Sequence, residues 1–252
     1  MNHYISFDVG TVNLGVAAAS VETNGDATLN WLDTANISAS CSDRCLSRLW
    51  TYLDELMVLL GWQKYTAYIE KQPAKVCSLM RTVELGIRHY FLMRAHRGQE
   101  SVSVKSVSPR RKLSAPVIYS AGASSSQKYK ARKNAGLSEA IGAFSGLPDV
   151  VSFLKTGKGD DAADASLYLV HFGGARNFVA VSPDALRNAR SRADVKAAGA
   201  AVKVAARRAK VDAKEADLSA KRVARAIAKE LRLVAKLKVC LPHRDVLAAV
   251  AA

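Results

Sequence analysis

The sequence lacks the paired cysteines of a zinc site or a disulfide framework. Its four cysteines, Cys41, Cys45, Cys77 and Cys240, are scattered, and none belongs to a CxxC pair. Free thiols in a reducing compartment are the expected state. No apolar run reaches the roughly 18 residues of a membrane span. Residues 1–10 run straight into a strand-like stretch carrying Asp8, without a leader's long apolar region and small-residue cleavage site. A soluble, intracellular protein is expected. Aromatic residues are scarce at 7%, so much of the 49% apolar content is Ala, Val and Leu. Acids are outnumbered 22 to 37 by Lys and Arg, a formal net charge of +15. Enzymes of small metabolites rarely need such a balance, and a polyanionic partner explains it most simply.

Hydropathy patterning over the 252 residues gives an element order. Strands are expected at 3–7, 14–21 and 27–32, with the hairpin turn Asn24-Gly25-Asp26 between the last two. Residues 43–60 place Leu46, Leu49, Trp50, Leu53, Leu56, Met57 and Leu60 on one helical stripe, with Ser42 or Asp43 as cap. A strand at 66–69, a helix at 77–93, a strand at 101–107 and helices at 127–144 and 160–172 follow, with a serine-rich loop at 115–127. Three strands followed by strand–helix alternation predict an α/β protein. The expected architecture is an RNase H-like mixed five-stranded sheet flanked by helices. Composition then shifts. Residues 184–252 hold 17 Lys and Arg against 7 acids, a net of +10, and no proline interrupts 185–241. Two regions are therefore expected: a core at 1–182 and a basic Ala/Lys/Arg-rich helical extension at 183–252, with a narrow apolar stripe of Val223, Ile227, Leu231 and Val234.

Four acids stand out by position. Asp8 ends the first strand, with Gly10 just beyond to let the chain turn. Glu70 ends a later strand. Asp160, Asp161 and Asp164 open the last core helix, where Asp161 and Asp164 share a face. Each alone has a structural explanation as a cap, a turn or a solvated strand end. Brought together, they would repel one another unless a cation lay among them, and hard oxygen donors suit Mg²⁺ or Mn²⁺. Two such ions about 3.5–4 Å apart can clamp a phosphodiester for in-line hydrolysis, leaving a 5′ phosphate and a 3′ hydroxyl. Asp8 is the expected bridging ligand, Glu70 and Asp164 flank it, and Asp161 completes the set, with Asp160 in reserve. Lys158, just ahead of the acids, could touch the scissile phosphate.

The segments ISFDVGTVNLG (5–15), IEKQ (69–72) and KGDDAAD (158–164) occur in that order. The chain thereby resembles the RuvC-type Holliday junction resolvases, most of all the poxvirus and fungal mitochondrial branch, over roughly residues 3–175. The resemblance implies an RNase H-like fold, a homodimer and Mg²⁺ dependence. It also implies paired nicks across a four-way DNA junction, in recombination and repair. By matching positions it carries the catalytic and metal-holding roles onto Asp8, Glu70, Asp161 and Asp164. Lys71 and Gln72, directly after Glu70, would reach the junction. The location implied is the cytoplasm or another DNA-containing compartment, such as a viral factory or a nucleoid. The extension after residue 183 has no counterpart in the resemblance.

Residues 97–133 hold nine Lys and Arg and one acid, Glu100. Arg110, Arg111, Lys112, Lys128, Lys130, Arg132 and Lys133 are candidate phosphate contacts, which position DNA without reading its sequence. Three other readings compete. Residues 8–15 also resemble the first phosphate loop of actin-like ATPases and sugar kinases. That class normally needs two such halves, and its activity does not explain the charge. An RNase H-type nuclease of RNA–DNA hybrids and a DNA-binding protein without catalysis are the others.

Overall fold

The computed structural model describes residues 1–38, 41–73, 77–98, 100–156 and 159–188. It also describes Lys210, Lys214, Glu215, Lys221, Arg225, Ala228, Lys229 and Arg232. The chain divides into two units, Met1–Ser191 and Arg192–Ala252. In the second, the described residues are helical and exposed. The expected stripe of Val223, Ile227, Leu231 and Val234 lies outside the described residues.

The first unit is an α/β sandwich, with β1 (Asn2–Asp8), β2 (Asn13–Val21), β3 (Asp26–Asn36), α1 (Ser42–Leu60), β4 (Lys64–Glu70), α2 (Ser78–His96), β5 (Ser101–Val107), α3 (Ser125–Ala143), α4 (Pro148–Leu154), α5 (Gly159–Gly173) and β6 (Asn177–Val181). The sheet order is β5-β4-β1-β2-β3-β6. The first three strands pair antiparallel, whereas β4 joins β1, β5 joins β4 and β6 joins β3 in parallel. The mixed sheet expected from the element order is thus observed, with six strands instead of five. The added β6 is short and mostly exposed, with Phe178 as its buried anchor. It has neither the length nor the apolar run of an inner strand. Helix α4, also unforeseen, spans only seven residues behind Pro148.

Side-chain alternation divides the core into two layers. Ile5, Phe7, Leu14, Val16 and Ala18 pack with Leu49 and Leu53 of α1 and Val83, Ile87 and Phe91 of α2. Ala17, Ala19 and Val21 pack with α3, α4 and α5 through Ala140, Phe144, Leu154 and Leu167. Because β2 is covered on both sides, it reads as a continuous apolar run. Asn30 is an extra residue between the pairs Ala18–Trp31 and Ala19–Leu29. This bulge shifts the phase of β3, so Leu29 and Leu32 both face the α5 layer while Trp31 faces α1. Gly61 ends α1 in the left-handed conformation at φ 61°. The start of α1 differs from expectation: Cys41 occupies the cap position without a side-chain bond. The serine run has a local purpose, because Ser124 and Gln127 form a reciprocal capping box that starts α3.

Ser6 ties the sheet to α5. It is fully buried, and its hydroxyl reaches the carbonyls of Ala17 at 3.2 Å and Ala165 at 2.8 Å. Beyond β6, Ala185 and Leu186 are buried, and the Leu32 amide donates to the Ala185 carbonyl at 2.9 Å.

Candidate active site

The parallel register of β1 and β4 pairs Phe7 with Ile69, so Asp8 and Glu70 leave adjacent strand ends together. On the other side of β1, Asp8 pairs with Gly15 of β2. The missing side chain at Gly15 lets the start of α5 come close, which brings Asp161 and Asp164 to the same edge. Helix α3 approaches in the same way. A Cβ at Gly136 would stand 2.9 Å from Asp164 Oδ1. β5 ends beside β4, with Val107 opposite Glu70, and the turn Pro109–Arg111 that follows delivers Lys112.

These elements enclose a cavity of about 400 Å³ lined by Asp8, Glu70, Lys112, Lys133, Asp161 and Asp164, among others. The carboxylates converge on two ammonium groups. Lys112 Nζ lies 2.8 Å from Asp8 Oδ1, 3.0 Å from Asp164 Oδ2 and 3.4 Å from Glu70 Oε2. Lys133 Nζ lies 2.9 Å from Asp161 Oδ1, 3.1 Å from Asp164 Oδ2 and 3.4 Å from Asp160 Oδ2. Two positive charges do not balance five carboxylates, and protonation supplies part of the remainder. Burial, together with a hydrogen bond to Glu70, pushes Asp8 up to about 7. Burial would also raise Glu70, but the Asp8 hydrogen bond, the Lys112 charge and the Tyr168 hydroxyl outweigh it and hold Glu70 below its usual value. Burial raises Asp161 against the opposing pull of Lys133. Asp164 is raised by burial and by the Asp8 charge, against the pull of both lysines. Both lysines are held strongly protonated, because the carboxylates overcome their burial.

The donor chemistry suits a hard divalent cation, since every ligand candidate is a carboxylate oxygen. Among the described residues, however, no three acidic, imidazole or thiol groups are disposed to hold a metal ion as they stand. Oxygens at 2.8–3.4 Å from a nitrogen surround an ammonium, whereas Mg²⁺ requires oxygens at about 2.0–2.1 Å. Asp8, Glu70, Asp161 and Asp164 would hold such an ion only if Lys112 and Lys133 withdrew and the carboxylates closed inward.

The other expected residues separate into groups. Lys112 and Lys133, expected on phosphates, point into the acid cluster, where unbalanced carboxylates attract them. Gln72, expected at a DNA contact, is buried. Its amide donates to Glu70 Oε1 at 3.4 Å, and its backbone N–H donates to Glu84 at 3.0 Å. Lys71, Arg110, Arg111, Lys128, Lys130 and Arg132 are exposed, and Arg132 lines the cavity. Lys158 lies outside the described residues. Tyr168 was not foreseen. It is fully buried, and its hydroxyl donates to Glu70 Oε2 at 2.8 Å. The signal was its spacing, because residues 161, 164 and 168 fall on one face of α5.

No helix among the described residues is long and apolar enough to cross a membrane. No family model and no curated protein sequence matches the chain. Solved structures are similar to it at low identity. Thermus thermophilus RuvC in complex with Holliday junction substrate is 14% identical, with a TM-score of 0.46 over 68% of this chain and 93% of that one. The yeast mitochondrial Holliday junction resolvase Ydc2 is 15% identical, with a TM-score of 0.46 over 69% and 79%. The fowlpox virus resolvase with Holliday junction DNA is 16% identical, with a TM-score of 0.42 over 65% and 91%.

Proposed function

We propose that this chain is a divalent-metal-dependent endonuclease that resolves four-way DNA junctions. The observation that carries the reading is the convergence of Asp8, Glu70, Asp161 and Asp164, from two strand ends and one helix, around two half-buried ammonium groups. Structure alone gives little reason to gather so many carboxylates in one cavity, since their mutual repulsion and desolvation oppose folding. Bound divalent ions would supply the Lewis acidity for in-line phosphodiester hydrolysis, leaving a 5′ phosphate and a 3′ hydroxyl. Asp8 bridges the acids of the strands and of α5, and is the first choice as shared ligand. Tyr168 orients Glu70 from beneath. Lys112 and Lys133 hold the carboxylates together; with the carboxylates taken up by bound ions, the two ammonium groups would be free to pair with the scissile phosphate. The exposed Arg110, Arg111, Lys128, Lys130 and Arg132 neutralise neighbouring phosphates. Paired nicks need two sites, so the working form is a dimer.

The test is incubation of the chain with a four-way junction, a linear duplex and an RNA–DNA hybrid, in Mg²⁺ or EDTA. Mg²⁺-dependent paired nicks in the junction are expected, with the duplex left intact. Cutting confined to the hybrid would replace this reading with an RNase H activity. Asp8→Asn is expected to slow cutting about a thousandfold or more while leaving junction binding in place, since a lost metal ligand removes several kcal/mol of transition-state stabilisation. Full activity in that variant would overturn the metal assignment.

A further inference from the structure

Among the described residues three aromatic side chains are exposed: Trp50, Tyr119 and Tyr129. One of the three lines the acidic cavity, and a second stands beside a lysine. Tyr129, near the start of α3, is 59% exposed and lines the cavity with Asp8, Glu70 and Arg132. Tyr119 stands in the preceding loop, with Lys128 Nζ 6.0 Å from its ring centre. Tyr65, Tyr68 and Tyr168 are all buried, so exposure is not the rule for tyrosine in this chain. Tyr129, Arg132, Lys133 and Gly136 share one face of α3 by their spacing. A strand entering the cavity past Arg132 and Lys133 would therefore run beside the Tyr129 ring.

We infer that Tyr129 is a platform for a nucleobase and sets the preference of the site for branched DNA. The inference rests on the nuclease reading above and extends it to the substrate's conformation. A base inside continuous duplex has both faces covered by its neighbours, whereas a base at a branch point can turn a face to a side chain. An exposed ring beside cations is the combination that holds single strands, because the cations take the phosphates and the ring takes any base. Tyr129 makes the site favour unstacked nucleotides without reading their sequence.

The test measures binding alone, in EDTA, with the full chain as wild type, Tyr129→Ala and Tyr129→Phe. The DNA is a four-way junction carrying 2-aminopurine in turn at each branch nucleotide, with a linear duplex as reference. Alanine is a strong helix former, so an exposed position on α3 tolerates it. Wild type and Tyr129→Phe are expected to quench one branch nucleotide per active site. Tyr129→Ala is expected to lose the quench and to bind the junction about 5- to 150-fold more weakly, with duplex binding unchanged. Three results would overturn the platform: wild-type behaviour in Tyr129→Ala, equal loss on junction and duplex, or Tyr129→Phe failing like Tyr129→Ala. Wild-type chain that binds no junction would also overturn it. Tyr129-dependent quenching by a chain that cuts nothing in Mg²⁺ would keep the platform and sink the nuclease reading. Cutting without any Tyr129 dependence would do the reverse.

Discussion

The backbone carbonyl oxygen of Asp161 lies only 2.0 Å from where a Cβ on Gly15 would stand, and Asp8 Cβ lies 3.1 Å from the same point. The start of α5 cannot yield there without moving the acids it carries, and β2 cannot yield without pressing on Asp8 of β1. Gly15→Ala is therefore expected to displace α5 and part Asp161 and Asp164 from Asp8. Forced overpacking of this kind destabilises by about 1–3 kcal/mol. A shift near 1 Å at a reacting site slows reaction about 10²-fold. Thermal unfolding and junction cutting would measure the two effects. A Gly15→Ala protein that cuts at the wild-type rate would show that this close approach does not set the site.

Lys112 is the nearest charge to three carboxylates, with its side chain 14% exposed. Lys112→Met leaves those carboxylates without their shared cation. Removing one partner of a buried ionic cluster destabilises by about 3–5 kcal/mol. A large fall in melting temperature is expected in EDTA. Mg²⁺ should restore more stability to this variant than to wild type, because the ammonium on Asp8 and Glu70 no longer has to leave first. Equal stabilisation of both proteins by Mg²⁺ would mean that Lys112 and the metal do not compete.

Much of this was legible in the sequence, for physical reasons that differ by element. The strand ends at Asp8 and Glu70 could be read because β1 and β4 are buried runs that stop at an acid. Asp161 and Asp164 could be read because helical spacing puts them on one face. The role of Lys112 was hidden, since its partners Asp8 and Asp164 lie far along the chain, and only the sheet order and the packing of α5 on β1 and β2 unite them. Composition alone made it one more cation of a basic stretch. β6 escaped because five mostly exposed residues carry little periodicity. Gln72 looked like a loop tip, but the pull of Glu70 and Glu84 turns it inward.

Acidity should change the metal-free protein and the metal-bound protein in opposite ways near neutrality. Asp8 titrates at about 7 when folded, against about 3.9 in an unfolded chain. Its protonated form therefore favours the fold. That contribution is complete below the ordinary carboxylate range and is lost as pH rises through about 7. The depressed Glu70 has the opposite sign, but its contribution fades only as pH falls below the ordinary range, outside this window. A divalent ion needs Asp8 ionised, so Mg²⁺ affinity should weaken below pH of about 7, approaching tenfold per unit. Melting curves across this range in EDTA and in Mg²⁺ would check it. Parallel pH dependences in the two conditions would refute the assignment.

Tyr168 should tune Glu70 without touching DNA. Its hydroxyl donates to Glu70 Oε2 at 2.8 Å, the side chain is fully buried, and Lys112 Nζ stands 5.5 Å from its ring centre. Tyr168→Phe removes one oxygen and keeps the ring, so packing against Phe172 and Tyr68 survives. The lost bond went to a charged group, which makes the loss of stability about 1.5–3 kcal/mol. The hydroxyl is also one of the groups that hold Glu70 below its usual pKa. Without it Glu70 takes up a proton at higher pH, and the lower limb of the cutting profile, below the fall set by Asp8, should move upward. Junction affinity should stay at the wild-type value, because the phenol does not reach the surface. A uniform loss of rate at every pH, with the limb in place, would reduce Tyr168 to a packing residue. A shift of the limb with binding intact would establish it as the residue that positions and ionises Glu70.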